Sequence, residues 1–273
     1  MKINPAGPSP LTAGNRPTLT ELIEKIASGK RINRAADDGA GLRIASLLDS
    51  QVRGMGQAMR NASDAISIAQ IGEGALGEAG ELIGRIRTLA IQSASAANSP
   101  ESRQALQAEA GRSLAALDRI GATTTYNGQR LLGGTFTGKT FQTGTAPEDQ
   151  TALSLPALSS STLGNENGRL ADIDLSTAEG AQAAVAIADA SLATVSGARA
   201  GLGSTINGLR AAISNLTTTS INVEAARSQV EDVDIAEQSL LLANAKVLQQ
   251  AGVFAATQTG RINKENIMRL LQG

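Results

Sequence analysis

The chain has 273 residues with 24 basic and 25 acidic side chains, and it contains no histidine and no cysteine. These absences exclude disulfide frameworks, thiolate zinc sites, cysteine nucleophiles and imidazole acid–base catalysis, so we predict that the protein is not an enzyme and needs no cofactor. With near-neutral charge, three Phe, one Tyr and no Trp, the sequence argues against nucleic-acid binding and predicts a thin core of closely packed helices.

The first seventeen residues carry four prolines, at positions 5, 8, 10 and 17. Because proline interrupts a helix, the sequence predicts a loose leader over residues 1–17. Met1-Lys2-Ile3 is not followed by the apolar core and small-residue cleavage site of a secretory signal. No apolar run approaches the roughly 18 to 20 residues of a membrane span. We therefore expect no cleavable signal peptide and no membrane span.

A short helix is predicted to begin after Thr18, because Glu21 stands three residues later as in a capping box, and to end at Gly29. The polar loop from Lys30 to Gly41 follows. Its adjacent carboxylates, Asp37 and Asp38, stand where the next helix must begin, so we expect them to cap that helix and form salt bridges rather than bind a ligand.

A long helix is predicted from about residue 40 to about residue 96, because apolar residues recur every seven positions along it. Five of its glycines fall within thirteen residues, at positions 72, 74, 77, 80 and 84. These indicate either the close approach of a neighbouring helix or a locally weak helix. The large apolar residues of this first seam are Leu48, Val52, Met55, Met59, Ile66, Leu76 and Ile83.

A second helix is predicted from Ser99-Pro100-Glu101 to about Tyr126, and Asn127-Gly128 then marks a turn. The segment from about 133 to 165 is rich in Thr, Ser and Gly. Within it, Thr135-Phe136-Thr137 and Thr140-Phe141-Gln142 flank Gly138-Lys139, which predicts the two arms of a short β-hairpin.

The C-terminal part predicts a helix that opens near Ser176 and carries a second seven-residue seam. Glu231-Asp232-Val233-Asp234 interrupts this helix, and we expect the break to face the loop after Gly29. Gly201, Gly203 and Gly208 are expected to meet the glycines of the first seam. The fold class predicted is mainly α: a long antiparallel coiled-coil bundle of N- and C-terminal helices with a small β-hairpin region in the middle. The second seam consists of Leu192, Val195, Leu202, Ile206, Leu209, Ile213 and Leu216.

Several segments resemble those of bacterial flagellins in the same order, and the resemblance covers about residues 26 to 273. It implies a short flagellin that lacks large outer domains. The segments include Ser28-Gly29-Lys30-Arg31-Ile32-Asn33, Arg60-Asn61-Ala62-Ser63-Asp64-Ala65, Tyr126-Asn127-Gly128-Gln129, Ser228-Gln229-Val230-Glu231-Asp232 and Leu248-Gln249-Gln250-Ala251-Gly252.

The resemblance implies a structural subunit of the flagellar filament, which polymerises with copies of itself for swimming motility. It assigns residues 18–39 and 232–273 to inner-core terminal helices and residues 40–231 to a helical rod domain. A junction protein linking hook to filament shares this architecture, and Met1-Lys2-Ile3 resembles the start of that subclass. This leaves the hook junction open as an alternative.

The resemblance also implies partners and a location. The implied location is an extracellular flagellum, which the chain reaches by export without a cleavable signal. The implied partners are hook-junction or cap proteins and an export chaperone that binds the apolar C-terminal helix. In many flagellins a host innate immune receptor grips the segment that matches Arg85 through Ser93, where Arg85 and Leu89 keep the anchor types. The inner-core and chaperone-binding residues implied are Leu241, Val247, Leu248, Phe254, Leu270 and Leu271.

A cell-surface adhesin that binds glycans is a second alternative, because the Ser, Thr and Gly residues of 133–165 are compatible with glycan contacts. Long tubes seen by electron microscopy after seeding would favour the filament subunit. Persistent monomers with glycan affinity would favour the adhesin. An enzyme is least favoured, since the metallopeptidase insert of some flagellins needs histidines that this chain lacks.

Overall fold

A computed structural model describes the backbone of residues 18–272 and the side chains of residues 18–262, so the predicted leader, residues 1–17, lies outside the described residues. Helices account for most of this range, and the strands form three two-stranded antiparallel sheets, β1–β2, β3–β4 and β5–β6. The mainly α fold predicted from the sequence is thereby confirmed. The helices are α1 (Leu19–Ser28), α2 (Gly39–Ala94), α3 (Pro100–Thr123), α4 (Ala178–Glu231) and α5 (Ile235–Gln272). The strands are β1 (Thr125–Tyr126), β2 (Gln129–Arg130), β3 (Lys139–Gln142), β4 (Gln150–Leu153), β5 (Gly164–Asn165) and β6 (Gly168–Arg169), and a 3-10 turn follows at Leu170–Asp172.

The chain divides into two compact units. Of the described residues, 18–50 and 222–272 form the terminal unit, and 51–221 form the helical unit. Helices α2 and α4 contribute residues to both units. The proposed division at residues 39 and 231 into inner-core and rod segments stays a prediction.

In the helical unit, α2 and α4 run antiparallel along their seams. The Arg87 Nε lies 2.5 Å from Asp189 Oδ1. Nearer the N-terminus of α2, Glu73 Oε1 lies 2.6 Å from the guanidinium of Arg199. Exposed ion pairs of this kind contribute little to stability. They nevertheless report the register, because the residue number falls along α2 as it rises along α4.

The irregular segment between α3 and α4 supplies a large part of the core of the helical unit. The side chain of Gln107 in α3 holds the C-terminal end of this segment with two hydrogen bonds. Gln107 Nε2 donates to Ile173 O at 3.2 Å, and Gln107 Oε1 accepts from Leu175 N at 2.7 Å. The buried apolar side chains of this segment are Leu131, Leu132, Phe136, Leu153, Leu155, Leu158, Leu163, Leu170, Ile173 and Leu175. This core is thicker than the aromatic-poor composition predicted, because leucines of the middle segment fill it.

In the predicted β-hairpin, Thr140-Phe141-Gln142 lies in a strand as expected, but the other arm and the pairing are wrong. Strand β3 pairs with β4, so that Phe141 is opposite Thr151, and residues 135–137 form no strand. The physical reason is the burial of Phe136, which is 3% exposed and whose carbonyl accepts from Leu155 N at 2.8 Å. The ring of Phe136 is held in the core, while Thr135 and Thr137 on either side of it stay exposed. Helix α3, predicted to run to about Tyr126, ends at Thr123 because Tyr126 belongs to β1. The chain then turns into β2 through Asn127, whose φ is 48°.

The expectation that Gly201, Gly203 and Gly208 meet the α2 glycines is also wrong. A Cβ atom built on any of these three would find nothing within 4 Å. Among the five clustered glycines between positions 72 and 84, Gly72 alone is tightly approached, since a Cβ there would lie 2.3 Å from a methyl carbon of Leu155. The close neighbour of Gly72 is therefore the middle segment, whereas Gly77 and Gly80 lie at ordinary contact distance from Arg199 and Val195 of α4.

The terminal unit is organised around α1 and α5, which pack against each other. The Thr18 side chain accepts from Glu21 N, and the Glu21 side chain accepts from Thr18 N, which confirms the predicted capping box. At the other end of α1, Gly29 has φ 71°, a left-handed conformation that favours glycine and ends the helix.

Candidate assembly surfaces

Both predicted seams are covered within one chain. None of their fourteen residues is exposed, and Leu76 and Ile83 of α2 are 0% exposed. These side chains therefore hold the subunit itself together. Their role in contacts between subunits stays a prediction. Because no seam residue is exposed, the surface of the subunit does not support this role.

Large apolar side chains that remain exposed lie outside the seams. In the helical unit they are Ile71, Ile91 and Ile221. In the terminal unit they are more numerous, namely Ile23, Ile44, Leu47, Ile235, Leu240, Leu241, Val247, Leu248, Val253, Phe254 and Ile262. Monomeric soluble proteins rarely expose contiguous apolar surface unless it is used for association, so the α5 residues among these are the best candidates for assembly contacts.

The predicted inner-core residues on α5 are exposed wherever the structure describes them. Val247 is 62% exposed, Leu248 52% and Phe254 73%, and Leu241 is 40% exposed. Leu270 and Leu271 lie outside the residues whose side chains are described. A helix with this surface gains little from its own chain, because helix formation in water depends on burying an apolar face.

The break between α4 and α5 faces the loop after Gly29, as the sequence predicted. Backbone hydrogen bonds join them on both sides, since Arg31 N donates to Glu231 O at 2.6 Å and Val233 N donates to Gly29 O at 3.0 Å. The Lys30 Nζ lies 2.5 Å from the carboxylate of Glu231, and Glu231 is buried, with 8% of its surface exposed. This contact fixes the start of α5 to the end of α1.

Of the two adjacent carboxylates, Asp38 caps α2 as predicted, whereas Asp37 caps amides of the preceding loop and forms an ion pair with Lys25. Asp38 Oδ1 accepts from Gly41 N at 2.8 Å at the start of α2. Asp37 Oδ2 accepts from Arg34 N at 2.9 Å and from Asn33 N at 3.0 Å. These backbone amides, Arg34 N first, are the main reason why the pKa of Asp37 is lowered from its ordinary value, and the positive charge of Lys25 adds to the effect.

Because the pKa of Asp37 is lower in the folded chain than in the unfolded chain, its ionised form stabilises the fold at neutral pH, and this contribution is lost as pH falls below about 4. We therefore expect Asp37→Asn to lower the thermal midpoint of the terminal unit at pH 7 and to lower it by less at pH 3, where the carboxylate is partly protonated. Circular dichroism against temperature, together with hydrogen exchange of the Asn33 and Arg34 amides, measures this. An equal loss at both pH values would contradict the capping role, and Asp64→Asn, at an exposed carboxylate of α2, is the control.

The predicted receptor contact lies on α2 in the helical unit. Arg85 forms an ion pair with Glu109 of α3 and its side chain is 62% exposed, whereas Leu89 is half-buried and packs against the core. Arg85 also lines an open groove between α2 and α3 with Glu78, Glu81, Leu82, Ala116, Arg119 and Ile120. Arg85 is therefore accessible on the surface and Leu89 largely is not.

Within residues 18–262, no group of three or more acidic side chains is placed to hold a metal ion. Among the described helices, none combines the length and the apolar character needed to cross a bilayer.

Sequence reasoning missed two structural residues. Gly121 of α3 is buried, and a Cβ there would lie 1.9 Å from the backbone oxygen of Leu158. Asp118, one turn earlier, accepts from Ser160 N at 2.7 Å and from Ser160 Oγ at 2.8 Å. The available signal was the pair Leu153 and Leu155, whose two-residue spacing indicates an extended segment with one side buried.

The arrangement matches known proteins at the level of both sequence and fold. The bacterial flagellin N-terminal helical region matches residues 11–137, and the bacterial flagellin C-terminal helical region matches residues 185–271. The chain is 35% identical over 252 residues to the flagellin of Halalkalibacterium halodurans, with 92% of this chain and 91% of that protein covered. It is 33% identical over 260 residues to a flagellar filament 30.7 kDa core protein of Treponema maltophilum, with 91% and 90% covered.

Among solved structures, the crystal structure of Bacillus cereus flagellin has a TM-score of 0.51 and 26% identity, with 62% of this chain and 94% of that chain covered. Two family regions in the right order, curated relatives matched over nine-tenths of their length and a flagellin neighbour in fold all agree. The chain therefore belongs to the bacterial flagellin family, and it is a structural subunit of the flagellar filament.

Proposed function

We propose that the two seams build the subunit and that the exposed apolar surface of α5 drives its polymerisation. The observation that carries this proposal is the contrast in exposure between the two sets of apolar residues. Val247, Leu248 and Phe254 are more than half exposed, whereas Leu76 and Ile83 are fully buried. Burying exposed apolar area releases roughly 25 cal/mol per Å², so contacts with neighbouring subunits stabilise α5 where its own chain does not.

Export and location follow from the same feature in this proposal. The subunit leaves the cell without a cleavable signal peptide and becomes part of an extracellular flagellum. An export chaperone covers the apolar residues of α5 until the chain reaches the growing tip, where cap or hook-junction proteins guide its addition. The absence of cysteine from the chain fits this route, because no disulfide has to be opened before the chain is threaded.

Arg85 and Leu89 stay a predicted contact for a host innate immune receptor. The accessible guanidinium of Arg85 supports the proposal, and the half-burial of Leu89 weakens it. The names of the curated relatives refer to flagellins and to filament core proteins, which does not favour the adhesin or hook-junction alternatives. We propose no catalytic role for the subunit.

Seeded polymerisation tests the role of α5. A chain that ends at Ala245 lacks the exposed apolar positions from Val247 onward, and we expect it not to extend filament seeds, because the surface that draws copies together is gone. Light scattering and electron microscopy measure extension. The single tyrosine, Tyr126, lies in the helical unit, so its unchanged fluorescence shows that this unit is still folded.

A chain that lacks residues 1–17 is the matched control, and we expect it to extend seeds at a rate close to that of the full chain. Extension of seeds by the chain ending at Ala245 at an unchanged rate would refute the proposed role of α5. If only the chain that lacks residues 1–17 failed to extend seeds, the leader and not α5 would drive polymerisation.

A further inference from the structure

Helix α2 carries two methionines, at positions 55 and 59, and their side chains differ in exposure. Met55 is 1% exposed, whereas Met59, one turn later, is half-buried. Residues four positions apart lie on the same side of a helix, so the two sulfurs belong to one side of α2. The packing of the helical unit therefore covers Met55 completely and Met59 only in part. The side chains of Met1 and Met268 lie outside the described residues.

Met59 faces a polar part of α4. Thr217 Oγ1 lies 3.4 Å from Met59 Sδ and 2.8 Å from Ile213 O. A hydroxyl carries one hydrogen, and sulfur is the weaker of these two acceptors, so the Met59 sulfur is held only loosely. Thr217 also begins a run of four hydroxyl residues, 217–220, in place of the large apolar residues of the second seam. The sulfur therefore meets hydroxyl groups on α4 and not a closed apolar contact.

Met59 also lines an open groove on the surface of α2. The other residues of this groove are Gly56, Arg60, Ser63 and Asp64. Gly56 contributes no side chain to cover it, and the Ser63 hydroxyl donates to Met59 O of its own helix at 2.9 Å. A small polar molecule therefore reaches Met59 from solvent without any movement of the helices.

We propose that Met59 is a reversible oxidation site whose conversion to the sulfoxide loosens the contact between α2 and α4. The oxidant is a peroxide, and hydrogen peroxide is the simplest case. The sulfur lone pair attacks one peroxide oxygen, and the O–O bond breaks as the S–O bond forms. The second oxygen leaves as water with the proton of the oxygen that is transferred. Sulfur loses two electrons and the peroxide gains them, so the reaction is balanced.

Oxidation changes what Met59 contributes to the contact with α4. The thioether is a flexible apolar group, whereas the sulfoxide is polar and is poorly placed against apolar neighbours. The sulfoxide oxygen is also a stronger acceptor than sulfur, so it competes with Ile213 O for the hydrogen of Thr217. The seam is weakened at this level as a result. Met55 is spared, because the packing keeps peroxide away from its sulfur.

A time course with hydrogen peroxide tests the reactivity in the full chain, at a concentration too low for polymerisation. Both methionines of α2 fall in the tryptic peptide of residues 54–60, so fragment-ion spectra locate the added oxygen within one peptide. We expect Met59 to gain oxygen about tenfold faster than Met55, because thioether oxidation follows exposure. Equal rates, or faster oxidation of Met55, would overturn the inference.

The Met59→Leu chain is the matched control for the structural effect. Leucine nearly preserves the volume of methionine and has no sulfur, and this chain keeps the other three methionines. We expect peroxide to lower the thermal midpoint of the original helical unit by about 3 °C, measured by Tyr126 fluorescence, and to leave that of Met59→Leu unchanged. Methionine sulfoxide reductases should restore the lost stability. An equal shift in both chains would assign the effect to another methionine, and the inference would fail.

Hydrogen exchange locates the effect along α4. In the oxidised chain we expect the amides of residues 213–220 to exchange at least about twofold faster, while those around Asp189, far along the seam, keep their rates. Unchanged exchange at residues 213–220 would contradict the inference, and so would faster exchange along the whole of α4. Because unpolymerised chain is used throughout, these outcomes are independent of the proposed role of α5.

Discussion

Replacing Leu76 by alanine is expected to lower the free energy of unfolding of the helical unit by about 3 kcal/mol. Leu76 is 0% exposed and belongs to the core that α2 shares with α3, α4 and the middle segment. Truncating a buried leucine loses its transfer free energy and leaves a cavity, and such changes cost roughly 2 to 5 kcal/mol. Urea unfolding at a concentration too low for polymerisation, followed by the fluorescence of Tyr126, measures the change within this unit.

Ile71→Ala is the matched control, because Ile71 lies on the same helix and is 39% exposed. We expect it to change the free energy of unfolding by less than about 1 kcal/mol, since much of the side chain already contacts water and alanine favours the helix. Equal losses for both variants would mean that the seam is not the main core of the unit. A change confined to filament growth would mean that Leu76 acts between subunits.

Gly121→Ala is the second substitution with a large expected effect, about 3 kcal/mol of destabilisation. The new Cβ would lie 1.9 Å from the carbonyl oxygen of Leu158, which is backbone and cannot rotate away. The loop is held on both sides, because Leu158 N donates to Leu132 O at 2.9 Å and Ser160 N donates to Asp118. The loop must therefore shift as a whole, and overpacking of this kind costs roughly 1 to 3 kcal/mol or more.

Gly111→Ala on the same helix has the opposite expectation. Gly111 is exposed, and a Cβ there would meet nothing within 4 Å. Alanine should stabilise α3 by about 0.5 to 1 kcal/mol, because it has less backbone freedom to lose on folding. Thermal unfolding monitored by Tyr126 compares the two variants. A Gly121→Ala chain as stable as the original would show that the loop at Leu158 is not fixed against α3.

Local chemistry accounts for the features that the sequence predicted correctly. Thr18 and Glu21 form their capping box with amides three residues away, and Gly29 ends α1 because of its own backbone conformation. Asp38 likewise caps the helix that begins beside it. Each of these contacts closes within a few residues, so the order of residue types along the chain is enough to predict it.

Periodicity carried the prediction further, to the long helices and their seams. A seven-residue repeat indicates which side of α2 is buried, and Leu76 and Ile83 are indeed fully covered. Periodicity does not say what covers a stripe. The same pattern recurs on α5, where Val247 and Phe254 are exposed. Composition and spacing alone do not distinguish a seam filled by its own chain from one left open.

The sequence by itself determined the helices, their caps, the break before α5 and the family to which the chain belongs, because these depend on local hydrogen bonding and on repeated spacing. Only the tertiary structure decided that Phe136 enters the core and so moves the hairpin to β3–β4, and that Gly121 and Gly72 receive Leu158 and Leu155. Those contacts join residues that are at least eight positions apart, and which of several leucines fills a given space depends on the packing of all of them together.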